Sequence, residues 1–183
     1  MNDDGLVASL TAAPGGAGRG FSVILMLRYV LETCRRVDEA IAALIRIPIA
    51  LPQNVTLLDR SGEYATLFLG PDRTPAVSKL RACTNHQETV ASPPSAATTS
   101  SVERQRTLLQ ALDDPAMTLP DLIARFLAPP LYSRRRDSPT VYTAIYRPSE
   151  GRVDYLWPGR VWRQSFDRFE SGEYTHDYGE LIP

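Results

Sequence analysis

Residues Asn54 to Leu69 constrain the fold more than any other stretch of the chain. Two runs, Asn54–Asp59 and Glu63–Leu69, are rich in β-branched and aromatic side chains and flank Arg60-Ser61-Gly62, so the segment reads as a hairpin. A third strand is expected from Pro75 to about Thr84, which makes the middle of the chain an antiparallel meander. Upstream, Val23, Leu27, Val30, Leu31 and Cys34 recur at helical spacing. Val37, Ala40, Ile41, Leu44 and Ile45 repeat the pattern, with Asp38 and Glu39 suited to the first-turn dipole and Pro48 as the stop. Before these helices, Leu6 to Thr11 reads as a strand and Pro14 to Gly20 as a flexible connector.

Downstream, Ala91–Thr99 is rich in Pro, Ser, Ala and Thr and belongs to an expected loop over residues 86–100. Helices are expected from about Ser101 to Leu112 and from Thr118 to Leu127, where Thr118 and Asp121 have capping-box spacing. A second hairpin follows, with Thr140–Tyr146 and Arg152–Trp157 joined through Pro148-Ser149-Glu150-Gly151. Residues 163–183 read as an irregular tail. This order predicts an α+β class, with mixed or antiparallel sheets and helices layered outside.

The 183 residues fit a single domain, 1–183, with one core. A formal net charge of -1, with 43% hydrophobic and 22% charged residues, argues against a disordered chain or a polybasic nucleic-acid binder. No apolar run is long enough to cross a bilayer, and Asp3 and Asp4 do not open a secretory signal, so the expected address is cytoplasmic, with no membrane partner. Lys79 is the sole lysine, an arginine bias of the kind bacterial GC-rich genomes give. Two cysteines and two histidines, without paired ligand spacing, predict neither a disulfide framework nor a metal site, and no cofactor is expected.

Gly15–Gly20 lies between a strand and a helix but lacks both GxGxxG register and a Walker Lys-Ser/Thr, so it reads as a connector. Arg134-Arg135-Arg136 reads as a solvated loop, and His176 with Asp177 as surface packing. G-x-S-x-G and H-E-x-x-H are both absent. The densest chemistry is Arg81-Ala82-Cys83-Thr84-Asn85-His86-Gln87, at the expected end of the third strand. Cys83 and His86 would point to opposite faces there, so Cys83 reads as a buried structural thiol. Asn85 is the sharper candidate, because a fixed carboxamide can donate a hydrogen bond to the oxyanion of a tetrahedral intermediate.

Several of these segments resemble one family. Met1-Asn2-Asp3-Asp4-Gly5-Leu6-Val7-Ala8 and Ala82-Cys83-Thr84-Asn85-His86 resemble motifs of the cysteine N-terminal-nucleophile hydrolases. Leu27–Cys34, Asn54–Asp59, Tyr142–Pro148 and the Gly151-Arg152-Val153-Asp154-Tyr155 return are similar to further segments of its acyl-coenzyme A:6-aminopenicillanic acid acyltransferase-like branch, with choloylglycine hydrolase as a more distant relative. The resemblance runs from Met1 to about Tyr178. It implies an αββα sandwich in which an N-terminal cysteine, freed by self-cleavage, attacks an amide or thioester while its own α-amine serves as base. It also implies Asn85 as oxyanion donor, Thr11 at the position of a second asparagine near the oxyanion, and Arg104 as a supporting arginine.

In that family the nucleophilic cysteine, with an Arg and an Asp after it, lies upstream of the segment that here begins at Met1. The resemblance therefore predicts a partial sandwich, incomplete at its N-terminus, lacking the nucleophile strand and silent alone on small-molecule acyl amides or thioesters. An open sheet edge and self-association are expected with it. The alternatives are a non-catalytic module that binds a ligand or partner on the same fold, and one half of a split enzyme completed by a missing N-terminal segment.

Overall fold

The computed structural model describes residues 1–87, 100–179 and 181. Its elements run β1 (Val7–Ala12), α1 (Val23–Thr33), α2 (Val37–Arg46), β2 (Gln53–Leu58), β3 (Tyr64–Leu69), β4 (Ala76–Ser78), α3 (Ser101–Asp113), α4 (Leu119–Phe126), β5 (Thr143–Arg147), β6 (Arg152–Trp157) and β7 (Arg160–Ser165). Strands β1-β2-β3-β4 form one antiparallel sheet and β5-β6-β7 a second. The class is α+β, as the sequence predicts.

Alternation decides what each face of the first sheet does. Val55, Leu57, Ala65, Leu67 and Leu69 point to one side and meet Met26, Val30, Val37, Ala40 and Leu44 of the helix pair. Each fully buried Val, Leu or Met side chain here contributes roughly 1.5–3 kcal/mol. The helices form where the spacing places them: Ser22 caps α1 through Ile24 N, and the Asp59 carboxylate accepts from Val37 N at 3.1 Å at the start of α2. The opposite face carries Ser9 and Thr11 of β1, Asn54 and Thr56 of β2, and Thr66 of β3, all in register. This second face holds the candidate site.

Three expectations are corrected. The third strand ends at Ser78 instead of near Thr84. Ser78 Oγ accepts from Leu80 N at 3.2 Å and the Tyr64 hydroxyl donates to Lys79 O at 2.8 Å, so side chains take the backbone groups that a longer ladder needs. The tail expected over 163–183 begins only after Ser165, because Pro158-Gly159 turns the chain, with Gly159 at φ +74°, and β7 pairs with β6 from Trp157↔Arg160 to Arg152↔Ser165. The second hairpin's first strand starts at Thr143, not Thr140. Of the expected 86–100 loop, residues 88–99 lie outside the described residues, while His86 and Gln87 are buried.

The Gly15–Gly20 connector is largely exposed but tied at two points to the chain around residues 49–50. Gly18 N donates to Ala50 O at 2.8 Å, and a Cβ on Gly20 would strike the Ile49 backbone. The Thr118–Asp121 capping box forms as expected.

Candidate functional site

Beyond Ser78 the chain crosses the polar face of the first sheet without strand pairing, and side chains hold it in place. Thr84 O accepts from Thr11 Oγ1 at 3.1 Å and from Asn54 Nδ2 at 2.8 Å. The same Asn54 amide donates to His86 O at 2.9 Å, so one side chain from β2 grips the backbone on both sides of Asn85. Gln87 Nε2 reaches Gln53 O and Leu69 O, at 3.2 and 3.0 Å, and ties the segment to the sheet's rim. From the other side, Gln105 Nε2 of α3 donates to Ala82 O at 3.2 Å.

The result brings together the three residues singled out in the sequence. Asn85, half-buried, donates from Nδ2 to Ala12 O at 2.9 Å, and its Oδ1 accepts from an Arg104 terminal nitrogen at 2.9 Å. Thr11 is the neighbour of Ala12 on β1 and lies directly opposite Asn54 in register. Burial lowers the Arg104 pKa from its ordinary value, although a guanidinium stays charged under any such shift. A half-buried cation thus bonds to the carbonyl end of the Asn85 amide. That contact draws electron density toward Oδ1 and makes the amide N–H groups stronger donors.

Cys83 is half-buried, where a fully buried thiol was expected. Its Sγ lies 3.7 Å from Thr11 Oγ1, at the edge of this cluster. His86 does not pair with it. The ring, buried, places Nδ1 3.1 Å from Thr84 Oγ1 and 3.2 Å from Ser101 Oγ. Because the Thr84 hydroxyl spends its proton on Ser101 O at 2.8 Å, Nδ1 is the protonated nitrogen in the His86–Thr84 contact. His86 is therefore a packing histidine that joins α3 to the segment.

The other candidates stay outside the cluster. His176 packs against Trp157 and Tyr178, with ring centroids 5.7 and 4.7 Å apart, and Asp177 accepts from Gly179 N instead of from the histidine. Arg135 holds Asp137 through two hydrogen bonds, which lower that carboxyl to about 2. Arg134 donates to Tyr178 O at 3.1 Å. A cavity of about 650 Å³ lies on the second sheet, lined by Tyr142, Tyr146, Tyr155, Trp157 and Trp162, and also by Met1. Met1 precedes β1 whereas Thr11 and Ala12 end it, so the cavity and the cluster meet the chain at opposite ends of that strand. Among the described residues, no group of three or more His, Cys, Asp or Glu could hold a metal ion, and no helix is long and apolar enough to cross a membrane.

Sequence reasoning missed Asn54. It is 1% exposed, and its Oδ1 has no hydrogen-bond partner among the described residues. An asparagine in a strand whose Val55, Leu57 and Leu58 are apolar was the available signal, but its partners lie 30 and 32 residues away.

A family model described as acyl-coenzyme A:6-aminopenicillanic acid acyl-transferase matches residues 1–162. The chain belongs to this acyltransferase family. No curated protein sequence gives a significant match. Among solved structures, the chain resembles a Caenorhabditis elegans N-acylethanolamine-hydrolyzing acid amidase ortholog, with a TM-score of 0.53 and 18% identity over 79% of this chain. The match covers 66% of that amidase chain, so this acyltransferase-family chain spans just under two thirds of the neighbour's length. At that identity the likeness is one of fold. It agrees with the helices and antiparallel sheets described above.

Proposed function

We propose that this chain supplies the oxyanion-stabilising part of a cysteine N-terminal-nucleophile site that cleaves or transfers acyl groups at small-molecule amide or thioester bonds. The convergence of Asn85, Thr11 and Arg104 at one rim of the first sheet carries this reading. Attack on an acyl carbonyl places negative charge on its oxygen, and a donor fixed in advance stabilises that charge without reorganising. Three features of Asn85 support this reading: one N–H is held by Ala12 O, Arg104 polarises the amide, and the second N–H has no partner among the described residues.

Thr11 takes a different part from the one its position implied. Its hydroxyl donates to Thr84 O, so it positions the segment that carries Asn85. The nucleophile of such a site needs its own free α-amine as base, and Cys34 and Cys83 are internal, so a cysteine outside residues 1–183 is required, in cis or in trans. β1 is an edge strand of its sheet and offers the edge on which a cysteine-bearing strand could pair. Without that strand the chain is expected to be silent.

The test is to assay fluorogenic N-acyl amides and acyl thioesters with the chain alone and with a strand peptide that begins with cysteine. Activity is expected only with the peptide, and Asn85→Ala should lower kcat about 10²- to 10³-fold, roughly 2.7–4 kcal/mol of barrier. Activity unaffected by Asn85→Ala would remove the amide from the mechanism. Tight peptide binding with no turnover of either substrate class would favour a non-catalytic binding module.

A further inference from the structure

The second sheet carries a cavity that the candidate site does not use. Alternation puts Tyr146 of β5, Tyr155 and Trp157 of β6, and Trp162 and Gln164 of β7 on one face. That face floors the cavity of about 650 Å³. Aromatic residues make up more than half of the lining, and no lining side chain is charged. Asn85, Thr11 and Arg104 are not part of it, and Met1, which is, precedes β1, whose other end carries Ala12.

The chain after β7 forms the opposite wall. Gln164 clasps Glu170 in both directions, donating to Glu170 O at 2.8 Å and accepting from Glu170 N at 2.9 Å. Beyond the clasp, the Tyr174 ring lies nearly parallel to both tryptophans: 6° from Trp162 with centroids 5.1 Å apart, and 17° from Trp157 at 5.7 Å. Planar rings therefore already stack in this cavity. With Gln164 spent on Glu170 and Ser165 on Arg168, the polar side-chain groups left are phenol hydroxyls. Those of Tyr142, Tyr146 and Tyr155 have no hydrogen-bond partner among the described residues. They lie close together: Tyr142 meets Tyr155 edge-on with centroids 5.2 Å apart, and burial first, then the neighbouring phenols, raise the pKa of Tyr146 and Tyr155.

We infer that this cavity binds an uncharged planar aromatic molecule that carries hydrogen-bonding groups. Apolar walls with a few convergent polar groups are what a small-molecule site needs. Ring faces favour a planar π-system beyond the area it buries, and the three hydroxyls, each able to donate and accept, fix its orientation. A charged ligand would be buried here without a counter-charge, which is costly. Such binding is independent of the proposed acyl chemistry.

Both tryptophans of the chain line this cavity, so their fluorescence reports on it directly. The test titrates the full chain with methyl 4-hydroxybenzoate, a neutral ring with a donor and an acceptor, and follows that emission. Methyl 4-hydroxycyclohexanecarboxylate, its saturated counterpart, and choline are the comparisons. A saturable change with the aromatic ester is expected, with binding of the saturated ester several-fold weaker. Equal affinity for the two esters overturns the planar-ring assignment, and tighter binding of choline overturns it in favour of an organic cation. Tyr146→Phe with Tyr155→Phe keeps both rings and should weaken binding several-fold; unchanged affinity would remove the hydroxyls from recognition. Tyr174→Ala, on a side chain 41% exposed, should weaken it by a similar factor. Asn85→Ala should not change ester binding, and a loss equal to that in Tyr174→Ala would overturn the separation of the two sites. No saturable change up to about 10 mM, or displacement of the ester by the cysteine strand peptide, overturns the cavity as a ligand site. Ester binding by a chain that stays silent with the peptide would leave the cavity standing and the acyl reading refuted.

Discussion

The two faces of the first sheet are closed by different forces. Toward α1 and α2, Val55, Leu57, Ala65 and Leu67 are fully buried against aliphatic side chains, and nothing in that contact requires a specific direction. On the other face the 82–87 segment is held by Thr11, Asn54, Gln87 and Gln105 through hydrogen bonds of 2.8–3.2 Å between side chains and backbone carbonyls. Apolar contact is tolerant of small shifts, whereas a hydrogen bond weakens steeply with angle. The helix face therefore supplies stability and the polar face supplies position, and the Asn85 carboxamide is placed by the second.

This contrast can be tested by substitutions on each face. Leu67→Ala opens a cavity under the helices and should cost about 2–5 kcal/mol in urea unfolding, while amide exchange at 84–86 relative to global unfolding should hardly change. Asn54→Ala strips one donor from Thr84 O and the only described donor from His86 O. It should cost about 1–3 kcal/mol and selectively speed exchange within the 84–86 segment. If Leu67→Ala loosens that segment as selectively as Asn54→Ala does, the division between the faces fails. Thr11→Val leaves Asn54 on Thr84 O and should cost only about 0.5–1.5 kcal/mol.

The smallest effect concerns the polar tie on the helix side. Burial of Asp59 raises its pKa, but hydrogen bonds from Ser61, Val37 N and the neighbouring backbone outweigh this, so the net shift is downward. A carboxyl depressed in the folded state adds stability that is fully present above its unfolded pKa, about 3.9, and is lost as pH falls through the lower folded value. The urea midpoint should therefore decline on acidification through that window, and Asp59→Asn should flatten the decline. An unchanged slope in the variant would show that other carboxylates carry it.

Local chemistry made much of the fold legible. The spacing of Val23 to Cys34 and of Val37 to Ile45, the Arg60-Ser61-Gly62 turn and the Thr118–Asp121 box all act over a few residues, and each element appeared where its pattern placed it. The early end of β4 was not legible, because Tyr64, from the neighbouring strand, claims the Lys79 carbonyl. Strand β7 was overlooked, although Pro158-Gly159 signalled its turn. Its alternation, Val161, Trp162, Arg163, Gln164, mixes polar and apolar residues on both faces and gives no clean period.

What the sequence by itself determined is the class of the fold, its helix pair and first hairpin, and the presence of a carboxamide among polar residues near Thr84. Only the tertiary structure decided that Asn85 lies between Ala12 O and Arg104, and that Asn54 grips both sides of it. The reason is range. Periodicity, caps and turns are fixed by neighbours along the chain, whereas these polar groups find partners 19 to 73 residues away, where only packing of the whole sheet can bring them.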